Sequence, residues 1–212
     1  MNEEGEKLRI AVFASGRGTD LQSIIDAIEA GKLDAQIVMV LSNKRDAMAL
    51  ERARKHGIPA VYLSSKDFDK RDEFVSTMLG ELERHGANFI ALAGYLRKVP
   101  PEVIQKYRNR IVNIHPALLP SFGGKGMYGM RVHEAVIEYG CKVTGVTIHI
   151  VDEHYDHGPV VAQRCVEVRD DDTPETLAAR VLEVEHQLYP EVLQWFAEGK
   201  VEVIGRKVLI KG

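Results

Sequence analysis

Residues 8–28 read LRIAVFASGRGTDLQSIIDAI, and this stretch decides the fold. It opens with a short apolar run, which is typical of a buried strand. A turn containing Gly16 and Gly18 follows, and the apolar residues after it recur at helical spacing. The residues on that helical stripe are Leu21, Ile24, Ile25 and Ile28. The stretch therefore predicts a strand, a glycine turn and a helix, which together open an α/β fold.

Strand-like and helix-like segments keep alternating along the chain. Further strands are predicted at 36–41, 59–63 and 89–93 and just before Pro116, with helices at 47–56, 70–84 and from Pro100 onward. Later segments are a helix at 130–139, strands at 142–151 and 160–168, a helix from Thr173 to about Tyr189, and a hairpin at 201–203 and 207–210. Pro190 is expected to kink or restart the last helix. The alternation predicts a mostly parallel sheet with helices on both faces.

Composition limits the classes of protein to which the chain can belong. Its 212 residues suffice for one large domain or two small ones, and a net charge of -3 argues against a general nucleic-acid binder. Cys141 and Cys165 lie in or beside apolar runs and are interpreted as buried, reduced thiols. The sequence has no long apolar run and no signal-peptide pattern, so we expect a soluble, unprocessed cytoplasmic protein without a membrane partner. The polar residues 1–7 are expected to fray.

The glycine turn favours binding of a phosphate. Glycines allow backbone amides to approach a ligand, and a helix start supplies free N–H groups and a positive dipole end. A dinucleotide site would require a third glycine, where Leu21 stands, and an acidic residue where the second strand ends in Ser42-Asn43-Lys44. We therefore expect a single phosphate rather than NAD. A tight turn without a ligand is the alternative.

The segment Asn113-Ile114-His115-Pro116 carries the chemistry. Alternate side chains of a strand share a face, so Asn113 and His115 point the same way, and Pro116 ends the strand beside them. An amide and an imidazole at the carboxyl end of a strand can stabilise the oxyanion of acyl-group chemistry. The alternative is that both side chains merely satisfy backbone groups.

Residues 151–159 form an acidic loop between two apolar runs. A carboxylate from this loop, such as Asp156, could orient the imidazole and favour its charged form. His149 lies just before the loop on one strand face with Val143, Gly145 and Thr147. It could line the site, or it could be an ordinary hydrogen-bonded histidine of the sheet.

With these motifs in view, the sequence resembles the glycinamide ribonucleotide formyltransferases, folate-dependent enzymes of purine biosynthesis. The resemblance covers nearly the whole chain and rests on residues 15–22, 92–97, 113–120 and 156–159. It implies a three-layer, Rossmann-like formyltransferase fold forming a single domain over residues 1–212. Residues 8–100 would form the phosphate-binding half, and residues 101–212 would form the folate-binding and catalytic half.

The resemblance also implies roles for individual residues. Asn113, His115 and Asp156 would be catalytic, and Gly18, Thr19, Asp20 and Glu185 would bind the phosphoribosylglycinamide. Folate would contact Arg71, Leu96, Arg97, Lys98, Val99, Asn113 and Asp152. The formyl donor would be 10-formyltetrahydrofolate, with no tightly bound cofactor and no metal, and the protein would be a monomer or homodimer. Its amine acceptor would attack the formyl group directly.

Two features depart from the family pattern. Many relatives carry Asn where this chain has Asp20, and a carboxylate beside a phosphate is acceptable if it turns away to cap the helix. Residues 122–129 also differ from the more familiar loop, which has Pro-Gly after the aromatic residue.

Four other classes of protein share part of this sequence pattern. A methionyl-tRNA formyltransferase would continue into a tRNA-binding domain, and a formyltetrahydrofolate hydrolase would carry a regulatory domain in front. A non-catalytic nucleotide-binding module would not need Asn113, His115 and Asp156 together. A metal hydrolase is disfavoured because two of its candidate ligands, Asp156 and His157, are adjacent and do not easily point at one ion. Its other candidate ligands would be His149 and His154.

Overall fold

The computed structural model describes residues 7–212. The frayed segment predicted at the amino terminus therefore lies, except for Lys7, outside the described residues. In chain order the elements are β1 (Leu8–Phe13), α1 (Thr19–Glu29), β2 (Ala35–Ser42), α2 (Met48–Lys55), β3 (Ala60–Tyr62), α3 (Arg71–Arg84), β4 (Phe89–Leu92), α4 (Pro101–Lys106), β5 (Ile111–His115), α5 (Met130–Tyr139), β6 (Val143–Ile150), β7 (Val160–Glu167), α6 (Pro174–Ala197), β8 (Val201–Ile204) and β9 (Lys207–Ile210).

Seven strands form one sheet in the order β3-β2-β1-β4-β5-β6-β7. The first five run parallel to their neighbours, whereas β6 and β7 pair antiparallel. Apolar side chains of α1, α2, α5 and α6 pack on one face of the sheet, and those of α3 and α4 pack on the other. The predicted three-layer α/β fold with a mostly parallel sheet is confirmed.

The pairing of β5 with β6 positions the polar side chains of both strands. Asn113 pairs with His149, and His115 pairs with Thr147. Directly paired residues on antiparallel strands project their side chains to the same face. His149 therefore lies beside Asn113 as a consequence of sheet register, which the sequence alone does not specify.

Helix α6 differs from its predicted bounds. Its start is as expected, because Thr173 accepts a hydrogen bond from the Thr176 N–H in a capping box. The helix nevertheless continues through Pro190 to Ala197, so the predicted end near Tyr189 is wrong. Proline removes one backbone hydrogen bond, but Leu188, Tyr189, Val192 and Leu193 are all buried around it. Tertiary packing on both sides of the proline keeps the segment helical.

Two smaller features are the terminal hairpin and the cysteines. The terminal hairpin is confirmed as β8 and β9, a separate two-stranded sheet. The thiols are less enclosed than predicted, because Cys141 is half-buried and Cys165, on the edge strand β7, is exposed. Over residues 7–212, none of the helices combines the length and the apolar character needed to cross a membrane.

Candidate active site

A cavity of about 1010 Å³ opens at the carboxyl ends of the parallel strands. In open α/β sheets this edge is where ligands bind. Twelve of the residues predicted for the site line the cavity: Gly18, Thr19, Asp20, Leu96, Arg97, Lys98, Val99, Asn113, His115, Asp152, Asp156 and Glu185. Arg71 is the exception. It lies at the start of α3 and forms a two-point ion pair with Glu102, with both N–O distances 2.7 Å.

The catalytic trio predicted from sequence meets in one corner of this cavity. The His115 Nδ1 atom lies 3.7 Å from Oδ2 of Asp156. Its other ring nitrogen, Nε2, lies 2.8 Å from the carbonyl oxygen of Phe122. A carbonyl only accepts hydrogen bonds, so Nε2 carries a proton and Nδ1 is the nitrogen that titrates towards Asp156.

Asp156 is held in place by its backbone conformation and by the loop opposite. Its φ angle of 53° lies in the left-handed region, which is uncommon for a residue other than glycine. The N–H of Gly124 donates to Asp156 Oδ2 at 2.9 Å. At Gly158 an added Cβ would meet the Ile150 carbonyl oxygen at 1.9 Å. Glycine at that position therefore lets the loop return against the end of β6.

His149 completes the corner, and the sequence had left its role open. Its Nδ1 lies 2.9 Å from the Ile150 carbonyl oxygen and must donate to it. Its Nε2 lies 3.2 Å from the Asn113 amide nitrogen and 3.5 Å from Asp156 Oδ1. An Nε2 without a proton accepts from Asn113, whereas a protonated Nε2 donates to Asp156 Oδ1, and in either case at least one N–H of the Asn113 amide stays free for a ligand.

The electrostatic balance in this corner differs from expectation at His115. Burial lowers the pKa of His115 below its usual value, and the raising effects of Asp156 and the Phe122 carbonyl do not fully offset it. Burial opposes ionisation of Asp156, yet His149, His115 and the Gly124 N–H together hold the pKa of its carboxyl below the usual range. These directions favour an ionised carboxylate beside a neutral imidazole. They run against the sequence-based hypothesis that Asp156 keeps His115 in its charged form.

The glycine turn forms a cradle at the opposite side of the cavity. Gly18 is the N-cap of α1 with φ 70°, and a Cβ there would meet the Ala49 Cα at 2.9 Å. Glycine is therefore required for both conformation and space. The first N–H groups of α1 have no acceptor within the helix, and they point out from its positive end. Gly18, Thr19 and Asp20 present these groups where an anion can bind.

The side chain of Asp20 does not cap the helix as predicted. Among the described residues, the N-cap of α1 receives no side-chain hydrogen bond. Asp20 instead turns towards α6, where its Oδ1 lies 3.8 Å from Nε2 of His186. Burial raises the pKa of Asp20 to about 6. Glu185 lies on α6, beside His186, and is only 9% exposed. Burial and the charge of Asp20 raise its pKa.

The segment predicted to bind folate follows β4 directly. The Leu96 N–H donates to the Ser15 hydroxyl oxygen at 2.9 Å, which ties this segment to the glycine turn. The Leu96 side chain is 44% exposed, and the Lys98 ammonium lies 5.9 Å from the centre of the Tyr155 ring. This part of the cavity offers an apolar surface beside a cation, which suits a large aromatic ligand with acidic groups.

One group of side chains could hold a metal ion in the part of the chain that is described. The ligand atoms of Asp152, His154 and His157 lie within 4.8 Å of one another on the acidic loop. The metal-hydrolase alternative used His149, His154, Asp156 and His157, and this set does not form such a group among residues 7–212. The His157 Nδ1 instead lies 2.8 Å from Asp152 Oδ2 as an ordinary pair.

Sequence reasoning missed three contributors to the site. The Phe122 carbonyl and the Gly124 N–H act through backbone atoms, which no residue type reveals. His133 of α5 is a third addition, because it is buried against the cavity and its pKa is lowered by burial and by His115. The available signal was a histidine within the predicted helix at 130–139.

Comparison with known proteins agrees with this geometry. Residues 8–193 match the family model for formyl transferase, so the chain belongs to the formyl transferase family. A phosphoribosylglycinamide formyltransferase of Escherichia coli is 36% identical over 196 residues, which are 92% of this chain and 90% of that protein. A chloroplastic one from Arabidopsis thaliana is 42% identical over 95% of this chain and 69% of its own length.

A solved structure supports the same assignment. Glycinamide ribonucleotide transformylase 1 from Symbiobacterium toebii superposes with a TM-score of 0.92 at 37% identity, covering 100% of this chain and 98% of that one. Within its family the chain thus belongs with the phosphoribosylglycinamide formyltransferases. The predicted family, fold and enzyme class are confirmed.

Proposed function

We propose that this enzyme transfers a formyl group from 10-formyltetrahydrofolate to the amine of glycinamide ribonucleotide and releases formylglycinamide ribonucleotide. One observation carries the proposal. A trio suited to acyl transfer and a backbone cradle suited to a phosphate line the same cavity. A hydrolase would need the trio but not the cradle, and a nucleotide-binding module would need the cradle but not the trio.

The two substrates occupy the cavity from opposite sides in this proposal. The acceptor's phosphate binds the amides of Gly18, Thr19 and Asp20, and Glu185 contacts its ribose or glycinamide end. Folate lies along residues 96–99 and beside Asp152. Arg71 contacts folate only if its guanidinium first leaves Glu102, with which it forms an ion pair.

The transfer is direct, without an acyl-enzyme. As the acceptor amine attacks the formyl carbon, the carbonyl oxygen becomes an oxyanion, and the free N–H of Asn113 donates to it. The attacking nitrogen releases a proton, which His115, neutral at rest, accepts on its Nδ1 atom. Asp156 stabilises the resulting imidazolium. That proton passes to N10 of the folate as the bond from carbon to N10 breaks. Proton transfer and oxyanion stabilisation thus both depend on this corner.

The decisive experiment is to mix the protein with glycinamide ribonucleotide and 10-formyltetrahydrofolate and to identify where the formyl group goes. We expect formylglycinamide ribonucleotide in mass spectra, in equal amount to the tetrahydrofolate formed. His115→Ala protein is the control. Release of free formate at the same rate with and without the acceptor would identify a hydrolase instead.

The cradle makes a second prediction about the acceptor. Because the helix start and its amides bind an anion, removing the phosphate should lower kcat/KM by about a hundredfold or more. The measurement compares glycinamide riboside with glycinamide ribonucleotide under the same conditions. Similar kcat/KM values for both acceptors would refute the assignment of Gly18 to Asp20 as the phosphate site.

We further propose a cytoplasmic location and a monomer or homodimer, with neither nucleic acid nor membrane as a partner. The net charge of -3 supports the proposal, because it does not favour anionic polymers. Light scattering during gel filtration measures the oligomeric state directly.

A further inference from the structure

Two buried polar atoms face each other across the interface between α1 and α6. Within residues 7–212, neither Oδ1 of Asp20 nor Nε2 of His186 has a hydrogen-bond partner. The two atoms lie 3.8 Å apart. Buried polar atoms are nearly always partnered, and a shift of about 1 Å would bring this pair into hydrogen-bond range. One proton between them would therefore satisfy both atoms.

The pair lies between two cavities. Asp20 lines the reaction cavity, next to the amides of the glycine turn. His186 lines a second cavity of about 970 Å³, together with Gln22, Asp26 and Arg52. The imidazole side chain is 35% exposed, compared with 13% for the carboxylate. A proton can therefore reach the pair through His186 while a substrate fills the reaction cavity.

The ionisable groups around the pair disfavour a bare negative charge in this region. Burial raises the pKa of Asp20 to about 6. On α6, Glu185 and Tyr189 each have a pKa raised by burial and then by the charge of Asp20. Burial lowers the pKa of His186, while Asp26 of α1 raises it and Arg52 of α2 lowers it. Neither partner holds its charge easily alone, so the two together are most stable with one shared proton.

We propose that Asp20 and His186 share one proton as a charge-neutral pair, and that this pair sets the affinity of the cradle for the phosphorylated acceptor. His186 is then a positioning residue that acts through Asp20. With the proton bound, the pair carries no net charge beside the phosphate. When the proton leaves at higher pH, a net negative charge remains beside the cradle and repels the acceptor. The identity of that acceptor rests on the proposed function.

The first test is a double-mutant cycle on the acceptor KM, with Asp20→Asn and His186→Gln. Glutamine keeps the size and the hydrogen-bonding capacity of the imidazole but cannot carry its charge. At pH 7, where burial alone no longer keeps Asp20 protonated, we expect His186→Gln to raise the acceptor KM about tenfold when Asp20 is present, and less than about twofold when Asn replaces it. Folate KM and kcat should change little. His85→Gln is the matched control, since His85 pairs with Glu81 at the end of α3, on the other face of the sheet.

A pH series extends the cycle. Below about pH 6 the pair holds its proton, so the wild-type acceptor KM should be lowest there and should rise about tenfold towards pH 8. The acceptor phosphate also titrates near pH 6, but it does so equally with every variant. The ratio of wild-type KM to Asp20→Asn KM removes that effect. A ratio that stays constant with pH would overturn the proposal, as would equal damage by His186→Gln in both backgrounds.

A second test does not depend on catalysis. In NMR titrations of the imidazole resonances, the pKa of His186 should be higher in the wild-type protein than in Asp20→Asn, because the carboxylate stabilises the imidazolium. Inorganic phosphate, used as the probe, should bind Asp20→Asn more tightly than wild type at pH 8. If wild-type protein transferred no formyl group but both results held, the proposed function would fail and the proton-sharing pair would stand. An unchanged His186 pKa would refute the pair itself.

Discussion

The catalytic corner and the phosphate cradle each contain one buried carboxylate, and the two behave in opposite ways. The side chains of Asp156 and Asp20 are 12% and 13% exposed. The pKa of Asp156 is lowered, because two imidazoles and the Gly124 N–H surround it. The pKa of Asp20 is raised to about 6, because burial acts there without a donor in place. Similar side-chain exposure thus accompanies opposite pKa shifts, because desolvation dominates at Asp20 whereas the neighbouring groups outweigh it at Asp156.

The strongest test of this contrast removes the charge of Asp156, the carboxylate with the lowered pKa. Asp156→Asn keeps the size of the side chain but no longer stabilises an imidazolium at His115. We expect kcat to fall by about 10² to 10⁴, with far smaller changes in both KM values, because the lost interactions strengthen only in the transition state. Initial-rate assays of product formation with purified protein measure kcat and both KM values. Asp170→Asn is the control, because Asp170 is an exposed partner of Lys142.

Substitutions of His115 and Asp156 should not have additive effects on the rate. His115→Ala combined with Asp156→Asn should be little worse than the poorer single variant, because the two residues act as a unit. Losses that multiply would show that Asp156 has a role independent of His115, and the trio as assigned would have to be abandoned.

The cradle is tested next, with a smaller expected effect. Gly18→Ala forces a Cβ to within 2.9 Å of Ala49 at a φ of 70°. The turn must shift, so acceptor KM should rise about tenfold or more, with a stability loss of about 1 to 3 kcal/mol. Gly57→Ala is the control, because Gly57 has a similar φ of 68° but an added Cβ there would meet no heavy atom of the described chain within 4 Å. Thermal unfolding and acceptor titrations give the two values, and equal effects of both variants would contradict the close approach.

The smallest effect concerns pH. His115 acts from its neutral form, and its pKa is lowered by burial. The neutral form therefore persists to lower pH than in a free imidazole, so kcat, which does not depend on acceptor affinity, should decline only below 6.5, the usual pKa. In Asp156→Asn the raising effect of the carboxylate is lost, and the decline should move to still lower pH. If the decline in wild-type activity had its midpoint above pH 6.5, the usual pKa, the effect of Asp156 on the pKa of His115 would outweigh that of burial.

Some parts of the site followed from sequence because they depend on local rules. Strand alternation places Asn113 and His115 on one face, and the glycine turn places free amides at a helix start. Family resemblance added Asp156, and the structure brings it to 3.7 Å from His115.

Other parts depended on how separate elements meet. The position of His149 follows from the β5–β6 register, and the direction of Asp20 follows from α1 packing on α6. The preference of Arg71 for Glu102 depends on α3 lying beside α4. Pro190 shows the same limit, because a local rule for ending a helix was overridden by packing around it. Pairings between distant segments are not encoded in any short pattern.

Helix α6 carries three of the groups described above within little more than one turn: Glu185, His186 and Tyr189. The fully buried Tyr189 hydroxyl donates to the Leu92 carbonyl oxygen at 2.9 Å, at the end of β4. This contact fixes the rotation of α6 about its own axis. Adding or deleting one residue between Thr173 and Glu185 would turn the helix by about 100° relative to its cap. Substitutions on the outer surface of α6 should therefore accumulate freely during evolution, while the length of this segment should remain constant.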